Sequence, residues 1–292
     1  MYEYQIFSDS SCDLTSDEAG IYNIKLIPFY ISFDRENYYK EATELSLEEY
    51  YGLLSRKGLF PTTSTPSVQD YIDAFTPDLA LGKDIICFTI SDHLSASYQS
   101  AQLAKKTLEE SYPEAKIAIV NSHLVTGLQR MLVMEASRMQ TQGKTFSEVL
   151  KAANSIKKTG KIYFMVGTLD YLLKGGRLGK IVSMSGSILN IKPLLYYRNK
   201  DLSLMGIVRS RKKGLEKIIH QVISFFAASG ENIYDYIFIV GSTNAMEEAL
   251  SFKKILEKEL GFPQFEKTFF IGGTISSHTG PGTIGVGFIK KA

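Results

Sequence analysis

The sequence contains no tryptophan, only two cysteines and almost balanced charge. Cys12 and Cys87 cannot make a disulfide framework, and no C-x-x-C pair occurs. With 33 basic and 31 acidic residues, the formal net charge of +2 is too small for overall charge to favour nucleic acid as a partner. No apolar run approaches the ~18 residues of a membrane-spanning helix. The first residues also lack the features of a secretory signal, and we therefore expect a cytoplasmic protein.

Several motifs that are typical of nucleotide-binding proteins, hydrolases and metal sites are incomplete or absent. Residues 280–285 match G-x-G-x-x-G literally, but the segment turns β-rich and does not open a helix, as a dinucleotide fingerprint must. Residues 143–145 resemble the end of a P-loop, yet Arg138 stands where its leading glycine belongs. No G-x-S-x-G occurs, and the four histidines form no metal-binding motif, so we expect no metal site.

Strand-like and helical patterns alternate along the chain, which indicates an α/β fold with a mainly parallel sheet in the first half. The length suggests about two domains, and the polar stretch at residues 157–160 is the best boundary. We therefore expect an α/β domain at residues 1–158 and a second α/β domain at residues 159–292. The predicted strands are 4–7, 24–33 with a break at Pro28, 84–90, 116–120, 161–166, 236–240, 267–271 and 283–289. The predicted helices are 95–110, 127–140, 146–157, 211–228 and 247–260.

Two segments rich in hydroxyl groups stand before predicted helices. Residues 61–67 place five hydroxyls around two prolines, and residues 91–98 follow a buried strand and open a helix. Each is explained by simple N-capping, by Ser67 in the first segment and by Ser95 or Ser91 in the second. Each also suits an anion, because hydroxyls and free backbone N–H groups donate hydrogen bonds at such turns. The two roles are compatible.

An ordered set of motifs resembles the DegV family over essentially the whole chain. The set is Ser8-Asp9-Ser10, Thr62-Thr63-Ser64-x-Pro66-Ser67, Leu94-Ser95-x-Ser97-Tyr98, Gly175-Gly176-Arg177-Leu178, Ile191-Lys192-Pro193 and His278-Thr279-Gly280-Pro281-Gly282. The resemblance implies two α/β domains that hold a long-chain fatty acid between them. It further implies a carrier, not an enzyme, that presents the acid to a separate fatty acid kinase for acyl-phosphate formation. Phospholipid metabolism and transient membrane contact would follow, with the fatty acid as ligand and no cofactor.

The resemblance also implies roles for particular residues. The carboxylate contacts of the family fall on Thr63 and Ser95, with Thr62 and His278 as further candidates for fatty-acid binding. Arginine at position 209 and histidine at position 278 are associated in the family with kinase-dependent phosphorylation. The sequence departs from the family pattern at three positions, which are His93, Ala96 and Asn121, and these are given no role.

Arg177 and Arg209 also invite interpretation from the residues alone. Arg177 lies among glycines, whose backbone would let a guanidinium approach an anion bidentately; the alternative is a solvated loop residue. Arg209 begins the densest basic run, residues 209–213, which is either a solvated helix start or a docking patch for an acidic partner. His278 is expected in a glycine-rich surface loop. We assign Arg177, Arg209 and His278 to partner recognition or phosphotransfer.

Two other functions remain open at this stage. The first is a small-molecule hydrolase or transferase whose nucleophile, base and orienting group assemble only in space. The second is a regulatory protein in which a bound lipid is structural. A carrier predicts bound fatty acid and no turnover without a kinase and ATP, an enzyme predicts turnover alone, and a structural lipid would not exchange.

Overall fold

The computed structural model describes residues 3–56, 59–177 and 191–292 of the chain. The strands in these ranges are β1 (Tyr4–Asp9), β2 (Ile24–Ile27), β3 (Tyr30–Ser32), β4 (Tyr39–Lys40), β5 (Thr62–Ser64), β6 (Asp84–Thr89), β7 (Ile117–Asn121), β8 (Lys161–Met165), β9 (Lys192–Arg198), β10 (Asp201–Val208), β11 (Tyr236–Ser242), β12 (Gln264–Phe265), β13 (Phe269–Phe270) and β14 (Ile284–Lys290). The α-helices are α1 (Ser16–Ile21), α2 (Leu47–Leu54), α3 (Val68–Ala80), α4 (Ser97–Ser111), α5 (Thr126–Thr141), α6 (Phe146–Ile156), α7 (Asp170–Lys174), α8 (Arg211–Ser229), α9 (Met246–Glu259) and α10 (Gly273–Thr279). No helix within these ranges is long and apolar enough to cross a membrane.

A parallel sheet with strand order β2-β1-β6-β7 is built from the first half of the chain. Successive side chains of a strand point to opposite faces of the sheet. In β1, Ile6 therefore shares a core with α5 and α6, while Phe7 packs with α3 and α4 on the other face. Parallel strands usually need such cover on both faces. The predicted α/β fold with a helix-flanked parallel sheet is confirmed.

The second half of the chain forms a mostly antiparallel sheet with strand order β10-β9-β8-β14-β11-β12, and β13 pairs with β11. On one face, Phe238 and Phe288 pack with α8 and α9. On the other face, Ile239 and Ile289 share the core of α5. The two large sheets therefore face α5 from opposite sides, and this helix is buried over most of its circumference.

The first half also forms a small antiparallel sheet with strand order β4-β3-β5. Helix α10, from the second half, packs against this sheet. The close approach depends on Gly273, because a Cβ there would lie 2.5 Å from Cδ1 of Ile31 and 3.1 Å from Cδ2 of Tyr50. This contact brings the end of α10 beside β5. Residues 62–64 and residues 273–279 thus become neighbours despite their separation in sequence.

The predicted elements largely coincide with observed ones, but the short elements α1, α2, α7, α10, β4, β5 and β12 were not predicted. The hairpin of β9 and β10 was not predicted, and only Phe269–Phe270 of the predicted strand at 267–271 is a strand. The prediction that His278 lies in a surface loop is wrong, since it occupies the last turn of α10 and is half-buried. The glycine-rich segment at 175–179 begins where α7 ends at Gly175; Leu178 and Gly179 lie outside the described residues.

Candidate ligand-binding site

A cavity of about 350 Å³ lies between the second sheet, the start of α5, the turn before α4 and strand β5. This volume is within the usual range for small-molecule sites. Most of its wall is apolar. Thr63 and Arg177 both lie beside His278, and this part of the wall is the polar end of the cavity. The apolar wall includes Phe29, Ile90, Leu94, Leu128, Ile162, Phe164, Leu172, Tyr197, Leu202, Ile239, Phe269, Ile271 and Ile275. The polar part includes Thr63, Ser64, Thr65, Ser95, Arg177, His278 and Thr279.

Thr63 and His278 meet at the polar end. The Thr63 hydroxyl lies 2.9 Å from Nε2 of His278, a hydrogen bond across 215 positions of sequence. Thr63 is held by the pairing of β5 with β3, in which it opposes Ile31. Thr62 points elsewhere, because its hydroxyl lies 3.5 Å from the Ser32 carbonyl and it is not part of the described cavity wall. Of the two threonines, the structure therefore brings only Thr63 to the cavity.

Ser95 reaches the cavity from the turn between β6 and α4. Its amide donates to the Ser91 carbonyl at 3.2 Å, and its hydroxyl accepts from the Ser97 amide at 3.2 Å. The prediction that Ser95 is the N-cap is wrong, since Ala96 occupies the N-cap of α4 and makes no side-chain capping hydrogen bond; Ser95 precedes it, and its side chain bonds only the amide of the first helical residue, Ser97. The hydroxyl proton of Ser95 is not used by that contact and is available for a ligand.

Asp9, at the end of β1, accepts hydrogen bonds that hold the turn between β6 and α4 in place. Its Oδ2 accepts from the Ile90 amide at 2.9 Å and from the Ser97 hydroxyl at 2.6 Å. Its Oδ1 accepts from Ser11 at 2.5 Å and from Gln129 at 2.8 Å. Burial raises the pKa of Asp9, and the hydrogen bonds from Ser11 and Ser97 oppose that rise. We did not predict this role; the only signal was the Ser8-Asp9-Ser10 motif directly after a buried strand.

Burial and the neighbouring Arg177 guanidinium lower the pKa of His278 to about 4. The imidazole is therefore neutral near pH 7, and one ring nitrogen can donate while the other accepts. Its Nδ1 is buried and has no hydrogen-bond partner among the described residues. The buried Thr65 hydroxyl, on the same cavity wall, also has none. Nδ1 lies against the backbone of Gly175, whereas the Thr65 hydroxyl is on the cavity wall. Buried polar groups are normally paired, so the unpaired Thr65 hydroxyl favours a ligand with polar atoms.

Arg177 provides the positive charge at the polar end. Its Nε donates to the Leu94 carbonyl at 3.2 Å, and its Nη1 donates to the Gly175 carbonyl at 2.5 Å. No carboxylate of the described residues forms an ion pair with it, and burial alone lowers its pKa. Because His278 is neutral, the guanidinium leaves this end of the cavity with a net positive charge that suits an anion.

Arg209 is not brought to the cavity. It is exposed after the end of β10, and Ser210 caps α8 immediately behind it. Its neighbour Arg211 is engaged in the fold, with Nε 2.7 Å from the Glu248 carboxylate and Nη1 2.6 Å from the Gly282 carbonyl. The basic run is therefore partly structural, and Arg209 remains at the surface.

Ala96 lines the cavity, whereas His93 and Asn121 do not belong to its described wall. The Asn121 side-chain oxygen accepts from the His123 amide at 3.1 Å, and Nδ1 of His93 lies 2.9 Å from Asp92. Asn121 thus serves the backbone turn after β7, for which an amide oxygen suffices.

The fold and cavity together define an α/β ligand-binding protein whose amphipathic site lies between the second sheet, α5, β5 and the turn before α4. The sequence profile of the DegV family matches residues 3–291, and the chain belongs to that family. A DegV domain-containing protein of Clostridium perfringens is 30% identical over 292 residues, which is 99% of this chain and 98% of the relative.

Two solved structures show the same fold. The fatty acid (stearic acid)-binding protein from Eubacterium ventriosum has a TM-score of 0.93 and 34% identity, and the match covers 99% of this chain and 98% of that chain. DegV from Bacillus subtilis, described as a fatty acid binding protein, has a TM-score of 0.83 and 25% identity over 100% of each chain.

Proposed function

We propose that this protein binds a long-chain fatty acid, with the carboxylate at the polar end of the cavity and the tail along its apolar wall. The observation that carries the proposal is the division of one cavity into a polar end with a net positive charge and a larger apolar part. Similar proteins of known structure bind fatty acids. In this arrangement residues 1–158 and 159–292 act as two domains that enclose the ligand.

In the proposed complex the carboxylate accepts hydrogen bonds from the hydroxyls of Thr63 and Ser95. His278, already 2.9 Å from the Thr63 hydroxyl, accepts the Thr63 proton or donates to the carboxylate, depending on its tautomer. Arg177 contributes charge rather than a direct clamp, because two of its donors are engaged by backbone carbonyls. Thr62 acts indirectly, through the register of β5.

The tail would follow the inner face of β14. Alternate residues of that segment face the cavity, and they are Thr283, Gly285 and Gly287. The distance along the strand from residue 283 to residue 287 is roughly 13 Å. Over this distance the two glycines place no side chain in the cavity. The next residue on the same face, Ile289, is fully buried and lies outside the described cavity wall. Ile289 would therefore stop the tail.

A separate fatty acid kinase would act on the bound acid. In that reaction a carboxylate oxygen attacks the γ-phosphorus of ATP, and acyl phosphate and ADP result. Negative charge that develops at the transferred group needs positive or donor groups nearby. Arg177 and His278 lie at the polar end, and the exposed Arg209 is available to a kinase. The protein would then serve as a carrier that supplies acyl phosphate to phospholipid metabolism, with transient membrane contact when it loads.

The Thr63–His278 pair also has the geometry of a nucleophile and a base, which is the observation that favours a hydrolase. Such a base normally needs a third group that orients it, and Nδ1 of His278 has no such partner among the described residues. A pKa of about 4 also makes His278 a weak base at neutral pH. We therefore prefer the carrier.

The test is denaturing extraction of the purified protein followed by lipid mass spectrometry. Stoichiometric C16–C18 acid supports the carrier, and acyl phosphate should then form only when a fatty acid kinase and ATP are added. Hydrolysis of acyl esters by the protein alone would favour the hydrolase. Bound lipid that does not exchange with labelled fatty acid would favour a structural lipid.

A further inference from the structure

A second cavity, of about 580 Å³, lies on the other side of the start of α10. Its wall comes from α1, the β3–β4 region, α2, α9 and β13, and it opens beside the exposed side chains of Leu250 and Phe270. Phe269 lines this cavity as well as the first. The proposed fatty-acid site does not use this cavity, although its volume is also within the usual range for ligands.

Two polar side chains in this cavity are buried without a hydrogen-bond partner for one atom each. They are Oδ1 of Asp13 and Oγ1 of Thr268, and each residue is only 7% exposed. The other Asp13 oxygen accepts from the Thr126 hydroxyl at 2.5 Å. Leaving a buried acceptor unpaired is costly, so the open position beside Asp13 favours a ligand that donates hydrogen bonds.

A second carboxylate makes the site electrostatically suited to a cation. A Cβ on Gly272 would lie 2.7 Å from Oδ1 of Asp13 and 2.8 Å from Oε1 of Glu41, so the two carboxylates flank this glycine. Burial raises the pKa of both and so disfavours their charged forms, although the Gly272 amide opposes the rise at Asp13; a cation beside the pair would favour the charged forms again. Glu41 is held by Ser10 and Thr274.

Arg130 and Lys267 are the cations of the described cavity wall, and neither forms an ion pair with Asp13 or Glu41 among the described residues. Arg130 donates to the backbone carbonyl of Asp13 at 2.7 Å and to the Glu18 carboxylate at 3.0 Å. A positive group that enters the cavity would therefore find Asp13 Oδ1 unoccupied. An ammonium is favoured there by both charge and hydrogen bonding.

The other residues that line the cavity indicate whether the bound cation is inorganic or organic. The described residues contain no group of three or more His, Cys, Asp or Glu side chains that could hold a metal ion. Apolar side chains instead line much of the cavity, among them Leu14, Leu45, Leu47, Met246 and Leu250. An apolar body with one ammonium group matches this lining.

We propose that this second cavity binds a small organic amine, with its ammonium at Asp13 and Thr268 and its apolar part against Leu14, Leu47 and Leu250. The site is independent of the fatty-acid site, since Thr63, Ser95 and His278 take no part in it. The two sites share a wall at Phe269, and Thr126 lines the first while it donates to Asp13 in the second.

The experiment is a titration of the full-length protein with n-hexylammonium, followed by calorimetry, with hexanoate as the matched probe of opposite charge. We expect saturable binding of n-hexylammonium and none of hexanoate in this cavity. Asp13→Asn keeps the shape and the acceptor for Thr126 but removes the charge, and it should weaken binding about tenfold or more. Thr268→Val removes only a hydroxyl and should weaken it several-fold.

Controls separate this site from the proposed fatty-acid site. Thr63→Val should leave n-hexylammonium affinity unchanged, and n-hexylammonium should not displace bound stearate. If Asp13→Asn fails to fold, the affinity of Thr268→Val for n-hexylammonium and the comparison with hexanoate still test the proposal. The proposal is overturned if the wild-type protein does not bind n-hexylammonium, if hexanoate binds there equally, if both variants bind undiminished, or if the amine simply displaces the fatty acid.

Discussion

Gly175 and His278 are in direct contact, and the contact requires glycine. A Cβ at position 175 would lie 2.2 Å from Nδ1 of His278 and 3.0 Å from the Tyr171 carbonyl oxygen. The end of α7 therefore sets how the imidazole sits at the polar end of the cavity. The conflicting atoms are a ring that is hydrogen-bonded to Thr63 and a backbone oxygen, so relief of the clash would require a shift of the ring or of the backbone.

Gly175→Ala should consequently displace His278, lower the melting temperature and weaken fatty-acid binding about tenfold. The double variant Gly175→Ala/His278→Ala removes the ring from the clash, so part of the stability should return. Gly52→Ala is the matched control, since a Cβ there meets nothing within 4 Å. Thermal unfolding and fatty-acid titration of wild type, the single variants Gly175→Ala and His278→Ala, the double variant and the control check this. Equal effects of Gly175→Ala with and without His278 would contradict the proposed contact.

Thr63→Val removes one hydroxyl and keeps the side-chain shape. A hydrogen bond to a charged group is worth roughly 1.5–3 kcal/mol, so fatty-acid affinity should fall about ten- to a hundred-fold while the fold persists. Thr63→Ser restores the hydroxyl and should restore most of the affinity. Titration with a fluorescent fatty acid gives the comparison. A loss of melting temperature with unchanged affinity would mean that Thr63 is only structural.

Gly287 and Ile289 should set the length of tail that the protein accepts. Each buried methylene is worth roughly 0.8 kcal/mol, so four fewer carbons cost about 3 kcal/mol of gross affinity. In Gly287→Ala the new Cβ would lie 3.2 Å from Leu128 and within the cavity, which should shift preference to shorter acids. Ile289→Ala should extend the cavity and favour longer ones. Competition between C12, C16 and C20 acids measures both shifts, and an unchanged profile in both variants would refute the proposed end of the site.

The lowered pKa of His278 predicts a pH dependence of stability. The imidazole has a pKa of about 4 in the folded protein against 6.5 in a model peptide. Between these values the unfolded chain binds more protons than the folded one, so the free energy of unfolding rises with pH in that range. As pH falls from 7 to below 4, this group alone should remove about 3 kcal/mol of stability.

His278→Gln cannot titrate and should lack this contribution. Urea unfolding at several pH values, for wild type and variant, gives the difference directly. A difference between the two proteins that stays constant from pH 7 to pH 4 would show that His278 is not the titrating group.

Arg209→Ala should distinguish the presentation of the fatty acid to the kinase from the binding of the fatty acid. Arg209 is exposed and outside the cavity wall, so the variant should retain its fatty acid. If Arg209 contacts the kinase, acyl-phosphate formation with kinase and ATP should fall at least about tenfold, as expected when a partner's charge contact is lost. Lys254→Ala removes another exposed cation, on α9, and serves as the control. If both variants form equal amounts of acyl phosphate, Arg209 is a solvated surface charge that takes no part in kinase recognition.

Local sequence determined most of the secondary structure. Short apolar runs such as residues 84–90 and periodic helices such as residues 127–140 were recognisable because burial imposes the repeat of a strand or a helix on the side chains. The hydroxyl-rich turns were equally visible, since capping residues and prolines act within a few positions. The ordered motifs were sufficient to identify the DegV family, and with it the candidates Thr63, Ser95, Arg177 and His278.

Tertiary structure decided which of these residues meet. Thr63 faces the cavity and Thr62 does not because β5 pairs with β3 in one register, and register depends on a partner strand far along the chain. His278 is half-buried rather than exposed because α10 packs on Gly175 and on β5. The roles of Asp9 and the second cavity at Asp13 also come from contacts between remote segments. Such contacts leave no local period in the sequence, so only the folded chain shows them.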